Sequence, residues 1–329
     1  MVRIGRRVAY VSKKQESTAH VPYRPEMDMQ QVSRFDARLR DVPGSWTMTH
    51  SFLHAGDPHV VSLRWIIPDE RWCDEASFLN FLDQRHHRLL LHCFLQLAAP
   101  DPLPLVVERI PSEAEAVPQE SEYQWSRSAL LEQMGPAVKP HQLTQALHFL
   151  QVQEMVHEEE QDRWSRGRQL KPVATMDSTF EWLVQEHLQR FHHALARRSV
   201  SFKEWERDDL NDLHVLAFTE DGLVITAECK SNPAISGEDI TRFMRRATAF
   251  PADIALLLID TASEHQVVEQ IQQMNTVLGR ELTDPGNIHQ HKGSVIAHLG
   301  GNLYVANTAG GIEATLEEAL HIGASWEDS

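Results

Sequence analysis

The chain has 329 residues, enough for two or three domains rather than one small core. Its 47 acidic against 31 basic residues give a formal charge of −16, which excludes avid non-specific nucleic-acid binding but leaves room for a local basic groove. No apolar run approaches the roughly 20 residues of a membrane span, "MVRIGRRVAYVSKK" lacks the apolar block of a secretion signal, and the three cysteines form no CxxC pair; no membrane partner and a cytoplasmic setting are expected.

Residues 1–110 mix strand-like runs ("RRVAYVS", "HVVSLRWII", "PLPLVVERI") with one expected helix. That helix, "SFLNFLDQRHHRLLLHCFLQLAA" from Ser77, puts Phe78, Phe81, Leu82, Leu89 and Cys93 on an apolar face, with Asp74 or Ser77 as its cap. This reads as an α+β domain with no legible role. Residues 111–122, acidic and bounded by proline, read as a linker.

Residues 123–172 begin with a short helix ending at Gly135. A second follows Pro140, with Leu143, Ala146, Leu147 and Leu150 at helical spacing. "EMVHEEEQDRWSRG" then reads as strand, turn and strand. The segment resembles a winged-helix domain, whose second helix is the usual groove reader. Its wing, "EEEQD", would face phosphates with like charge, so packing or protein contacts are favoured over DNA reading.

Residues 173–329 are expected to be mixed α/β with a buried sheet. The helix "DSTFEWLVQEHLQRFHHALARR" would turn Phe180, Leu183, Val184, Leu188 and Phe191 inward. Strands "SVSFKEW", "DLHVLAF" and "LVITAECK" follow, then helix "GEDITRFMRRATAF" and the all-apolar strand "ADIALLLID". A helix, "SEHQVVEQIQQMNTVLG", leads to late strands "SVIAHL" and "LYVANT". The nineteen histidines are scattered, with no HExxH, so a zinc site is not expected.

Chemistry concentrates in one hairpin. Strand alternation puts Glu228 and Lys230 on one face and Cys229 on the other. A three-residue loop, Glu220-Asp221-Gly222, with a left-handed glycine would pair Thr219 with Leu223. That register sets His214 opposite Glu228 and Asp212 opposite Lys230. Two carboxylates and a lysine at a sheet end suit Mg²⁺-dependent phosphodiester hydrolysis: Asp212 and Glu228 would offer hard oxygen ligands, and Lys230 would orient water or offset developing charge.

"NDLHVLAF-TEDGLVITAECKS" resembles the core of the PD-(D/E)XK, restriction-endonuclease-like superfamily. It is most similar to the subgroup reading "NE-(L/I)-D-V-L … IECK", members of which are fused to CARF sensor domains in CRISPR type III defence. The resemblance covers about residues 177–261. It implies a mixed sheet flanked by helices, a divalent cofactor (Mg²⁺ or Mn²⁺), a nucleic-acid substrate and a further metal-binding glutamate on the preceding helix, where Glu181 stands. In the subgroup the metal-binding aspartate occupies the position of His214. Three readings stay open: Asp212 takes over as ligand; His214 itself ligates and tilts the preference toward Mn²⁺; or the site is inactive.

Plainer readings stand beside these. Ser178 and Glu181 have the S-x-x-E spacing of a capping box. Glu228–Lys230 could be a strand-end salt bridge, His214 a half-buried strand residue and Cys229 inert core. On the following helix, Ser236 caps with Asp239 as box partner, and Arg242, Arg245 and Arg246 make a basic side that could grip a phosphate backbone.

The expected function is therefore a metal-dependent endonuclease acting on DNA or RNA, in anti-phage defence or nucleic-acid processing. Residues 1–110 would answer to a regulatory ligand or protein, and dimerisation is common in such folds. The competing expectation is an inactive nuclease fold serving as a binding or scaffold subunit of a nucleoprotein complex. A weaker third is a transcriptional regulator acting through the winged helix.

Overall fold

A computed structural model describes residues 75–96, 124–159, 162–170, 175–201, 212–232, 234–250, 252–277 and 288–326. The early strand-like runs and the linker assigned to 111–122 lie outside the described residues. Among the described residues no helix is long and apolar enough to cross a membrane.

The expected helix from Ser77 is two helices, α1 (Glu75–Asp83) and α2 (Arg85–Gln96). The break at Gln84 is held by side chains that capture the backbone acceptors it frees. Arg88 Nη1 donates to the carbonyls of Leu82 at 2.5 Å and Asp83 at 3.1 Å, and His87 Nδ1 lies 2.7 Å from the Phe81 carbonyl. Hydrophobic periodicity runs through the break, so it could not reveal it.

Next come β1 (Trp125–Ser126), α3 (Arg127–Met134), α4 (Pro140–Val152), β2 (Val156–Glu159) and β3 (Arg163–Arg166). The three strands form a small antiparallel sheet in the order β1-β3-β2. Leu143, Ala146, Leu147 and Leu150 are buried as their spacing predicts, while Glu158 and Glu159 are exposed on β2. Trp125 Nε1 donates to the Cys93 carbonyl at 3.0 Å, tying this sheet to α2.

The remaining chain builds α5 (Asp177–Phe191), β4 (Leu195–Ser201), β5 (Asp212–Phe218), β6 (Val224–Lys230), α6 (Gly237–Ala249), β7 (Ile254–Ile259), α7 (Glu264–Val277), β8 (Ile288–His291), β9 (Ser294–His298), β10 (Leu303–Asn307) and α8 (Ile312–Trp326). The strands make one seven-stranded mixed sheet, ordered β4-β5-β6-β7-β10-β9-β8. β6, β7 and β10 run parallel at its centre, with antiparallel strands on both flanks. The mixed α/β expectation holds at this level.

Alternation sorts the two faces. Ala255, Leu257 and Ile259 of β7 pack on Ile240, Phe243 and Met244 of α6 and Val267, Ile271 and Met274 of α7. Ile254, Leu256 and Leu258 belong to the opposite cluster, which continues through α5 and α8 into Leu130, Leu147, Leu91 and Phe78. The helices α1 and α2 thus share a core with the large sheet.

The helix expected to reach Arg198 stops at Phe191, and strand β4 begins four residues later. His193 turns left-handed at φ 50°, and pairing with β5 overrides the helical propensity of "ALARR". Side chains of α5 assist: Gln189 Nε2 donates to the Ala196 carbonyl at 2.8 Å, and the Arg198 amide donates to Gln185 Oε1 at 3.1 Å. Phe191, expected inward, is 44% exposed. β1, β8 and α8 had no sequence expectation.

Candidate active site at the splayed end of a hairpin

The β5–β6 hairpin has the register expected of it. The Thr219 amide donates to the Leu223 carbonyl at 3.1 Å and the Gly222 amide to the Thr219 carbonyl at 3.0 Å. Gly222 sits at φ 88°, where a side chain would be strained. Pairing runs from Phe218↔Val224 to Val215↔Ala227 and there stops. His214 and Glu228 come next.

Where the ladder ends, the His214 ring enters the gap. Its Nδ1 lies 3.3 Å from the Cys229 amide nitrogen and 3.2 Å from the Cys229 carbonyl oxygen. The same Nδ1 lies 3.2 Å from Glu181 Oε1, and Nε2 lies 3.2 Å from Glu228 Oε1. The imidazole therefore bridges two buried carboxylates, one from α5 and one from β6. Burial raises the Glu181 pKa above the usual carboxylate range; His214 and Arg198 oppose the rise and Glu228 adds to it.

The capping-box explanation of Glu181 fails. The helix begins at Asp177 after Met176, with no side-chain cap, so Ser178 lies inside the first turn. Glu181 is instead 7% exposed and directed to His214.

Glu228 holds three nitrogen-bearing side chains. Besides His214, Lys230 Nζ lies 3.4 Å from Oε1, and Arg246 Nη1 donates to Oε2 at 2.5 Å. Lys230 also donates to Asp239 Oδ1 at 2.8 Å. The Ser236–Asp239 capping box forms as its spacing predicts, so one carboxylate caps α6 and holds the lysine together. Burial pushes Asp239 upward, but the hydrogen bonds from Lys230 and Ser236 outweigh it and set its pKa at about 2. For Lys230 burial acts downward, and Asp239 with Glu228 reverses the sign to a raised pKa. Cys229 is fully buried and its thiol is pushed well up by burial, in keeping with a core residue.

The arginine face expected on α6 divides. Arg246 is buried, in sequence between Phe243 on the helix and Phe250 at its C-cap, and its guanidinium turns to Glu228 rather than outward. It is thus withdrawn from any grip on a phosphate backbone. Arg242 pairs with Glu238 at 2.8 Å, while Arg245 is exposed. The flanking buried phenylalanines, three residues before and four after, were the available signal for Arg246.

Asp212 opens β5 and pairs with Ser201 on the β4 side. The hairpin register, continued, sets it against Lys230; its side chain lies outside those described.

The donor chemistry suits a divalent ion: two buried carboxylate oxygens on either side of an imidazole. As they stand, the ring nitrogens are spent on the carboxylates, and among the described residues no group of three or more His, Cys, Asp or Glu side chains is arranged to hold an ion. The arrangement is an imidazole bridge in which an ion would have to compete for the oxygens.

No family model, no curated protein and no solved structure matches this chain.

Proposed function

We propose that residues 173–329 form a restriction-endonuclease-like domain that hydrolyses phosphodiester bonds in DNA or RNA. The observation that supports this most is the convergence of Glu181, His214, Glu228 and Lys230 on the splayed end of the β5–β6 hairpin. A buried carboxylate pair with a lysine beside it is costly to maintain for stability alone. Glu181, Glu228 and His214 would hold the metal, with Asp212 a further oxygen donor from β5. Bound there, a divalent cation lowers the pKa of an attacking water and polarises the phosphate. An imidazole among the donors favours Mn²⁺ over Mg²⁺. Lys230, aimed by its ion pair with Asp239, supplies positive charge to the phosphate as negative charge develops. Residues 123–172 belong to this reading as a winged-helix-like unit used for packing or protein contacts, its acidic β2 being ill suited to phosphates. A regulatory ligand or protein would act through residues 1–110, and a homodimer would let both strands of a duplex be cut.

One observation favours the second reading, an inactive nuclease fold acting as a binding subunit. Glu228 is already occupied by the Arg246 guanidinium, an arrangement that holds the carboxylate without metal. The deciding experiment incubates the full chain with single- and double-stranded DNA and RNA in Mn²⁺ or Mg²⁺, beside Lys230→Ala. Cleavage lost in the variant supports hydrolysis. Cleavage that survives it, or no cleavage on any substrate, sinks the catalytic reading in favour of the binding one.

A further inference from the structure

A second set of charges gathers at the carboxyl ends of β6, β7 and β10. Asp260, just after β7, donates its amide to the Lys230 carbonyl at 2.9 Å. Its buried carboxylate is filled: Arg88 Nη2 and Nε donate at 2.8 Å to Oδ1 and Oδ2, and Thr308 Oγ1 donates to Oδ1 at 2.6 Å. Arg88 is itself spent, since its Nη1 serves the α1–α2 break.

Arg85, one turn earlier on the same face of α2, is left over. Its Nε lies 3.8 Å from Asp260 Oδ1, buried and without a hydrogen-bond acceptor. The acid that acts on Arg85 is Asp260, which Arg88 already holds, and Arg88 repels it. Two guanidiniums thus share one carboxylate, while the Arg85 side chain remains 31% exposed. Further along that face is His92, whose buried Nδ1 also lacks a partner and which feels Asp177 and Asp260. Asp177 accepts from Ser231 Oγ at 2.6 Å, one residue beyond Lys230. Arg85 and His92 therefore stand over the strand ends from which the candidate site emerges.

We infer that Arg85, with His92 about two turns further along the same face, is an anion-docking point that takes a phosphate oxygen of a nucleic-acid strand lying across the candidate site. The ligand's identity rests on the nuclease reading; the under-compensated guanidinium does not. The position also answers a shortage: Arg246 and Arg242, expected to grip the backbone, are engaged by Glu228 and Glu238. A guanidinium that is 31% exposed and shares its nearby carboxylate with Arg88 suits a phosphate, and α2 brings it from outside the nuclease-like segment.

The test is fluorescence anisotropy of labelled single-stranded and duplex DNA and RNA oligonucleotides, in EDTA to prevent turnover, with the full chain and its Arg85→Gln and Arg85→Ala variants. Inorganic phosphate as competitor separates a general anion site from one that needs a strand. The expected result is binding weakened by about tenfold in both variants, with the slope of log affinity against log salt reduced by about one. Competition by phosphate at concentrations that do not displace the strand from either variant supports the same site; strand binding with no phosphate competition supports a requirement for the strand. Variants that bind like the wild type, with an unchanged salt slope, overturn the inference and leave the nuclease reading standing. A wild type that binds no oligonucleotide overturns both. Melting curves report folding, and Asp260 keeps Arg88 in either variant.

Discussion

Arg246 of α6 lies 2.5 Å from Glu228 of β6, with both side chains buried. A guanidinium therefore occupies the carboxylate that the sequence reading reserves for a metal, and the two must compete. Arg246→Met removes the cation and leaves Glu228 to His214 and Lys230. The expected cost is about 3–5 kcal/mol, because a buried carboxylate loses its closest partner. Added Mn²⁺ should raise the melting temperature of the variant more than that of the wild type, since a ligand stabilises whatever state it binds. Calorimetric melts with and without Mn²⁺ check both parts; equal shifts in the two proteins would show that guanidinium and ion do not share the carboxylate.

The Lys230–Asp239 pair makes a pH prediction. Asp239 falls from its usual 3.8 to about 2 in the folded chain. A depressed carboxylate pKa stabilises the fold above the unfolded value and is lost as pH falls through the folded one. The stability gap between wild type and Asp239→Asn should thus be full above pH 4 and close between about pH 4 and pH 2. Urea unfolding across that range measures it. A gap that stays constant would mean the charge of Asp239 contributes nothing.

Much of the hairpin was legible because its signals are local. Gly222 fixes the loop, the loop fixes the register, and the register sets His214 against Glu228. What escaped depends on long-range partners. Glu181 matched the capping spacing perfectly, yet the helix starts at Asp177 and leaves Glu181 for His214, 33 positions along the chain. The arginines of α6 formed a basic stripe on paper, but Arg246 lies on the buried side of the helix and pairs with Glu228. Residues 195–198, the first part of β4, had helix-forming residues and became strand because β5 offered an edge, whereas 199–201 fall within the expected strand "SVSFKEW", the rest of which lies outside the described residues. Arg88 and Asp260 lie 172 residues apart, and no spacing rule connects them.

That last pair carries the docking of α2. Arg88→Ala would leave the Asp260 carboxylate buried with the Thr308 hydroxyl still donating to it at 2.6 Å, and would release the Leu82 and Asp83 carbonyls at the helix break. The expected loss is about 3–5 kcal/mol. Arg88→Ala combined with Asp260→Asn should cost less than the sum of the single changes, because each removes the other's unpaired charge. A double-mutant cycle by chemical denaturation gives the answer; additive losses would mean the pair does not act as a unit.

In the proposed site His214 would set the metal preference. With an imidazole between Glu181 and Glu228, the proposed site prefers an ion that accepts nitrogen, so wild-type cleavage should be faster in Mn²⁺ than in Mg²⁺. His214→Asp replaces the ring with a carboxylate at the position where the resembled subgroup carries its aspartate. The change empties the space between the two glutamates and adds a third hard oxygen donor, so preference should move toward Mg²⁺. Three carboxylates there repel one another, and the metal-free variant should melt below the wild type and recover on adding Mg²⁺. Parallel cleavage assays and melts in the two metals read both effects. An unchanged metal preference, with no recovery in Mg²⁺, would remove His214 from the metal-binding set and leave it as the bridge between Glu181 and Glu228.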